Sequence, residues 1–379
     1  MATRSKTNSQ ATLLRPAPGG TEWVKTIDNT FSAQTVSNMD ENCYIFLNKG
    51  CFPEDQDSRE ELLGLFDVPK FVATRTCVDL NGYFGCRPTY ANGHVTRCST
   101  WFRCVVKMIR KVPYEPYDSE PEYVPYTNKK GYIWFEMGIF TRWDSPSKCQ
   151  VLCVDIPFDL PNQLKVSLER RPSGLNFGDP FAMHVDLVDL IIKYYDLSVW
   201  RIRDPVRKLE ENRPYAGRLF KSMHDISRHG IHTSEILSAM TETLQEMLQQ
   251  QTEIYDKEPW AHEKTYQVQA KEYLKFQIQL TKSLKLRSDS NQKRLENEVN
   301  LAFNNIANQD NTVMKSIALL TMVFLPATFF SALFSTAFFS FDDGWKVSTG
   351  FWIYWVITAP TTFIVIVAFR IWMARTAQV

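Results

Sequence analysis

Three hydroxyl side chains, Thr321, Thr328 and Ser335, stand at heptad spacing inside a stretch, Ser316 to Phe341, that holds no charged residue. On a helix that spacing puts them on one face. Followed at three- and four-residue steps, the same face takes in Met314, Ile317, Leu325 and Ala332. Two arrangements fit. If several copies of the helix surround an axis, the hydroxyls line a watery lumen, and Met314, Ile317 and Leu325 become apolar constrictions able to gate by dewetting. If there is no such axis, Ser and Thr donate to their own preceding carbonyls or hold neighbouring helices together. Just beyond the stretch, Asp342 and Asp343 would form an acidic mouth in an oligomer and raise the local cation concentration, or else make a solvated turn before Gly344.

Other groups that could do chemistry are fewer. Asp225, His229 and His232 fall at i, i+4 and i+7, one face of a helix, where zinc would accept them as ligands and where a solvated polar face is the plainer alternative. The eight cysteines, Cys43 to Cys153, contain no CxxC pair and fit reduced, buried thiols better than zinc or disulfides. "NGYFGC" (Asn81 to Cys86) reads as a turn, not a phosphate-cradling loop, and no nucleophile constellation is present. These observations describe a chain that is not an enzyme and has no tightly bound cofactor.

The element that must carry the hydroxyl face is long. No proline lies between Pro259 and Pro326 and no glycine between Gly230 and Gly344, so nothing in the backbone breaks a helix from Trp260 to Phe341. At 1.5 Å per residue it would run roughly 120 Å. Its cytosolic part, 259–315, is a polar stalk with a seam of Leu280, Leu284, Leu295, Val299, Ala302, Ile306, Val313 and Ile317. At Ser288 and Asn291 the seam turns polar, which fits a solvated patch or a hydrated passage between symmetry-related stalks. Residues 316–341 and 351–369 are each long and apolar enough to span a bilayer, and the short connection 342–350 makes them a hairpin. Neither holds an acid or a base, which argues against a proton relay or a carrier of charged substrates. Lys315, Arg370 and Arg375 flank the pair, so both termini, including the tail 370–379, are expected in the cytosol. The plasma membrane is the expected home and an organellar membrane the alternative.

Upstream, 41–258 is expected to be a cytosolic α/β domain. Cys43 to Leu47, Thr74 to Leu80, Thr100 to Arg110, Tyr132 to Trp143 and Gln150 to Asp155 read as strands of a sheet covered on both faces by later helices. The proline-bearing segment Val112 to Lys130 reads as a connection. Helical periodicity takes over from Phe181 to Glu211, with Pro205 as a kink, and again after Pro214 to about Tyr255. Residues 1–40, basic and rich in Ser and Thr at their start, read as a disordered cytosolic tail, with a mitochondrial transit peptide as the other possibility. A net charge of +1 and a charge-balanced second helix give no footprint for nucleic acid.

Met314 to Phe341 ("MKSIALLTMVFLPATFFSALFSTAFFSF") and Phe351 to Val367 ("FWIYWVITAPTTFIVIV") resemble the C-terminal hairpin of the CorA-like divalent-cation transporters, in their divergent fungal ZntB-like branch. "WFRCVVKMI" (Trp101 to Ile109), "YDLSVWRIRDPVRKLE" (Tyr195 to Glu210) and "MHDISRHGIHTSE" (Met223 to Glu235) support the resemblance. It implies a homopentamer in a lipid bilayer, with a stalk helix running into a pore-lining first span and with Mg²⁺ or another divalent cation as transported or regulatory ion. In that family a Gly-Met-Asn signature ends the first span and forms the selectivity ring. The corresponding place here reads Phe334-Ser335-Thr336-Ala337, so Ser335, Thr336 and Ala337 take the ring position with hydroxyl instead of amide oxygens. Such a ring holds a strongly hydrated ion less selectively. The departure leaves two functions open: a divalent-cation channel, or a non-conducting membrane-anchored oligomeric scaffold or sensor derived from the same fold.

Overall fold

The computed structural model describes residues 9–18, 22–109, 131–171, 174–211, 220–257, 263–340, 346–347 and 349–376. The chain divides into two compact units, Met1–Glu298 and Val299–Val379.

The first unit is built on a seven-stranded sheet. Its strands are β1 (Ser9–Pro16), β2 (Trp23–Phe31), β3 (Cys43–Asn48), β4 (Gly82–Ala91), β5 (His94–Ile109), β6 (Tyr132–Asp144) and β7 (Lys148–Ile156), in the order β2-β1-β3-β7-β6-β5-β4. Only β3 and β7 pair in parallel. Along β3 every residue from Cys43 to Leu47 is buried, because both faces of the sheet are covered. Tyr44 and Phe46 point to one side, against α4 (Leu160–Glu169), α5 (Val185–Glu211), α6 (Phe220–Lys257) and the start of α7 (Lys264–Phe338). Cys43, Ile45 and Leu47 point to the other, against residues from α1 (Ala33–Ser37), α2 (Gln56–Gly64) and the turn that follows α2.

Here the structure corrects the sequence-based expectations. Later helices close only one face; residues between Ala33 and Ala73 close the other. Thr74 to Leu80, expected as a strand, instead caps and forms the short helix α3 (Arg75–Asp79). The expected turn at Asn81 to Cys86 is the beginning of β4. Much of the expected tail 1–40 is the hairpin β1–β2 with α1 after it. β2 shows why it looked unstructured: as an edge strand it buries only Trp23 and Phe31 at its ends, so a polar composition costs it little. Residues 110–130, which contain the expected connection Val112 to Lys130, lie outside the described residues.

Two buried polar clusters inside this unit are tied down. His184 lies fully buried, its Nε2 3.0 Å from Thr100 Oγ1 and 3.1 Å from Thr141 Oγ1, and burial pushes its pKa down to about 4. Asp179 Oδ2 accepts from the phenols of Tyr255 (2.7 Å) and Tyr266 (2.8 Å), while its Oδ1 accepts from the Phe181 amide (2.9 Å). One carboxylate thereby joins the end of α6 to the beginning of α7. All eight cysteines are free thiols, and six of them are buried.

Within the first unit, α7 packs through Leu274, Ile278, Leu295 and, at the same spacing, the buried polar residues Gln277, Thr281, Ser288 and Asn291. Ser288 and Asn291 are each 2% exposed in the single chain, so they form neither a solvated patch nor a passage between copies. Pro205 is accommodated inside α5, which runs unbroken to Glu211.

The second unit holds the remainder of α7 and α8 (Phe351–Thr376), joined by a two-residue ladder of β8 (Phe339–Ser340) and β9 (Lys346–Val347). The apolar part of α7 and most of α8, Phe351–Ile371, are long and apolar enough to cross a membrane.

Candidate pore-lining face

In the second unit the two helices meet along one side of α7. Ala318, Met322, Pro326 and Phe330 are among the sheltered positions there, and on α8 Phe351, Tyr354, Thr358, Thr361 and Val365 are among them. Both sets step by threes and fours, as two packed helices require. Tyr354 ties them with a hydrogen bond from its hydroxyl to the Ala327 carbonyl (3.2 Å), an oxygen one turn N-terminal of Ser331 and close to the break that Pro326 makes in the backbone ladder.

The hydroxyl face points elsewhere. At 100° per residue, Met314, Ile317, Thr321, Leu325, Thr328, Ala332 and Ser335 cluster roughly 120° round the helix from the line that meets α8. All seven are exposed in the single chain. Their hydroxyls are nevertheless engaged: Thr321 donates to the Ile317 carbonyl (2.9 Å), Thr328 to those of Phe324 (2.9 Å) and Leu325 (3.0 Å), and Ser335 to that of Ala332 (2.9 Å). Each proton is taken up by the helix itself, so what the side chain presents outward is oxygen lone pairs. The face is therefore a ladder of acceptors without formal charge, interrupted by Leu325 and Ala332.

Ser335, Thr336 and Ala337 all fall within α7; of these, only the Ser335 side chain is among those described. Asp342 and Asp343 lie outside the described residues.

The triad Asp225, His229 and His232 does not come together as a metal site, and among the described residues no three His, Cys, Asp or Glu side chains do. Asp225 pairs with Arg228 at 3.2 Å. The two imidazoles turn instead towards a group that spacing did not reveal, the ammonium of Lys107 on β5. It is 2% exposed, 2.7 Å from His232 Nδ1, and 4.7 and 4.6 Å from the ring centroids of Tyr132 and Trp134. The available signal was a lysine inside the otherwise apolar run "CVVKMI".

With this geometry in view, the comparisons with known proteins decide the family. The family described as CorA-like Mg²⁺ transporter protein matches residues 157–370. The chain belongs to this family. The match runs from α4 through both apolar helices, so the CorA-like chain is a membrane protein with two spans and has the fold of a divalent-cation transporter. The CorA magnesium transporter of Methanocaldococcus jannaschii has the same fold, with a TM-score of 0.57 at 12% identity over 95% of this chain and 97% of that one. The full-length CmaX protein gives a TM-score of 0.48 at 14% identity, over 97% of this chain and 99% of that one. Among curated sequences, Notoamide biosynthesis cluster protein M' of Aspergillus versicolor is 31% identical over 268 residues, which is 61% of this CorA-like chain. The chain spans only 57% of that relative's length.

Proposed function

We propose that this CorA-like protein is an oligomeric channel, a homopentamer by family resemblance, that passes divalent cations down their electrochemical gradient. Its pore wall is the α7 face of Met314, Ile317, Thr321, Leu325, Thr328, Ala332 and Ser335. One observation carries the proposal: the second span covers another side of α7 and leaves this acceptor-bearing face uncovered. A hydrated divalent cation turns water protons outward, and those protons need acceptors, which the ladder supplies at every second turn. The absence of a Gly-Met-Asn sequence at Phe334 to Ala337 leaves Ser335 and Thr336 at the ring position, with coarse discrimination among Mg²⁺, Zn²⁺ and Ni²⁺ as the consequence.

A second function is favoured by a separate observation. Hydroxyls that donate to their own helix are what a span wholly surrounded by lipid and protein would also need. In that case the molecule is a membrane-anchored scaffold or sensor whose first unit binds other proteins, and the name of the Aspergillus relative, which mentions a biosynthesis cluster and no ion, accords with it.

Uptake into liposomes containing the purified full chain separates the two. The channel requires influx of at least one of Mg²⁺, Zn²⁺ and Ni²⁺ above protein-free liposomes. Silence toward all three, at both high and low internal metal, would leave only the scaffold.

A further inference from the structure

The Lys107 site has a property that the pore does not explain. An ammonium carries three protons and no lone pair, so its 2.7 Å contact with His232 Nδ1 exists only while that nitrogen is unprotonated. His229, one turn earlier on α6, is buried against the Tyr132 ring (centroids 5.1 Å apart), and its Nδ1 has no hydrogen-bond partner. A proton on either imidazole would place a second positive charge beside a buried first one. Aromatic faces hold one cation well and dilute no repulsion between two.

Among the described residues the surrounding charges do not relieve this. On α6, Arg228 adds to the repulsion and is paired with Asp225, while Glu235, which favours a charged His232, is engaged by Asn81 Nδ2 at 2.7 Å. From β6 come the neutral rings of Tyr132 and Trp134, and from α5 the hydroxyl of Ser198 and the guanidinium of Arg201, bonded to the carbonyls of Lys107 and Ile109.

The far side of the same α6 segment grips the stalk. Gln292 of α7 donates to Ser227 Oγ (3.0 Å), and Ser234 donates to Asp289, which also pairs with Lys285 (2.7 Å). Between them Gly230 leaves room for the Gln292 side chain: a Cβ there would sit 2.6 Å from Gln292 Oε1. Movement of this segment off the sheet therefore pulls on α7.

We propose that Lys107, His229 and His232 form a proton sensor: acidification charges the imidazoles, expels the α6 segment 225–235 from the sheet and loosens its hold on the stalk. Burial first, then the Lys107 ammonium, pushes both imidazoles below their ordinary range, His229 from 6.5 to about 4. A depressed pKa means that the closed form binds protons less readily than the open one, so closure is lost as pH falls from 6.5 towards 4. For one imidazole with these values, the open population rises about tenfold between pH 7.5 and 5.5.

Hydrogen–deuterium exchange on the full chain in lipid tests this, with rates corrected for the intrinsic effect of pH. Amides of segment 225–235 are expected to exchange at least tenfold faster at pH 5.5 than at pH 7.5. The double variant His229→Gln, His232→Gln should flatten that response, and Lys107→Met should diminish it in part, because burial still opposes charging of the imidazoles when the ammonium is gone. An unresponsive wild-type segment overturns the sensor, as does an undiminished response in either variant. His184 lies in the turn Ala182–His184 and bonds to Thr100 and Thr141, outside segment 225–235. Any effect on flux rests on the pore proposed above, whereas local exchange does not, so the two can fail separately.

Discussion

Thr328→Leu is expected to cut divalent-cation uptake into liposomes by tenfold or more, with Ser335→Leu close behind. Thr328 stands in the middle of the acceptor ladder, with its proton directed to the carbonyls of Phe324 and Leu325 and its lone pairs outward. Leucine removes the oxygen and puts a branched apolar group in its place, one residue row from Leu325, so a wet turn of the wall becomes a continuation of a dry one. A tenfold loss needs only about 1.4 kcal/mol of added barrier. A single hydrogen bond is worth about 1 kcal/mol, so the loss of one acceptor from each of several copies exceeds that. Ser331 supplies the control. It lies on the same helix about 80° round from the ladder, and Ser331→Leu should leave uptake within twofold of the wild type. Equal losses at Ser331 and Thr328 would mean that the side of the helix does not matter.

Asp179→Ala should give the largest stability loss in the first unit, on the order of 3 to 5 kcal/mol, read as the shift of a chemical or thermal unfolding transition. The carboxylate is buried and accepts from two phenols and one amide, and alanine removes the acceptor from all three, two of them in buried residues, Tyr255 and Phe181. Burial and the neighbouring carboxylate together hold both phenols well above their ordinary pKa, so they remain donors at every physiological pH. Tyr266→Phe, which leaves the Tyr255 bond in place, should cost less than half as much. A loss below about 1 kcal/mol for Asp179→Ala would show that water or a rearrangement satisfies these groups.

What could be read in advance, and what could not, follows from how local each signal is. The two spans were legible because a run as long and charge-free as Ser316 to Phe341 suits a bilayer and little else. α5 and α6 announced themselves by periodicity, and Pro205 proved compatible with an unbroken α5. β2 hid because an edge strand keeps its polar side chains in water, and Thr74 to Leu80 misled because β-branched residues also suit a capped turn and a short helix. Ser288 and Asn291 looked like an interruption of the stalk seam, yet their burial comes from packing within the chain, a tertiary fact that spacing does not carry. The same holds for Asp225, His229 and His232. Their shared helix face was legible, but the ammonium that meets two of them comes from β5, more than a hundred residues earlier.

The central claim is that the ladder of Thr321, Thr328 and Ser335 faces water shared by several copies. Single cysteines placed at 321, 325, 328, 332 and 335, and as controls at Leu320 and Val323, can be challenged with a membrane-impermeant thiol reagent in the assembled protein in lipid. The native cysteines lie far from both spans in the sequence, and an unsubstituted sample sets the background. The account predicts fast modification along the ladder and slow modification at 320 and 323. Fast labelling at 320 and 323 with inert ladder positions would contradict it, because the hydroxyls would then lie against lipid or protein and not along a channel.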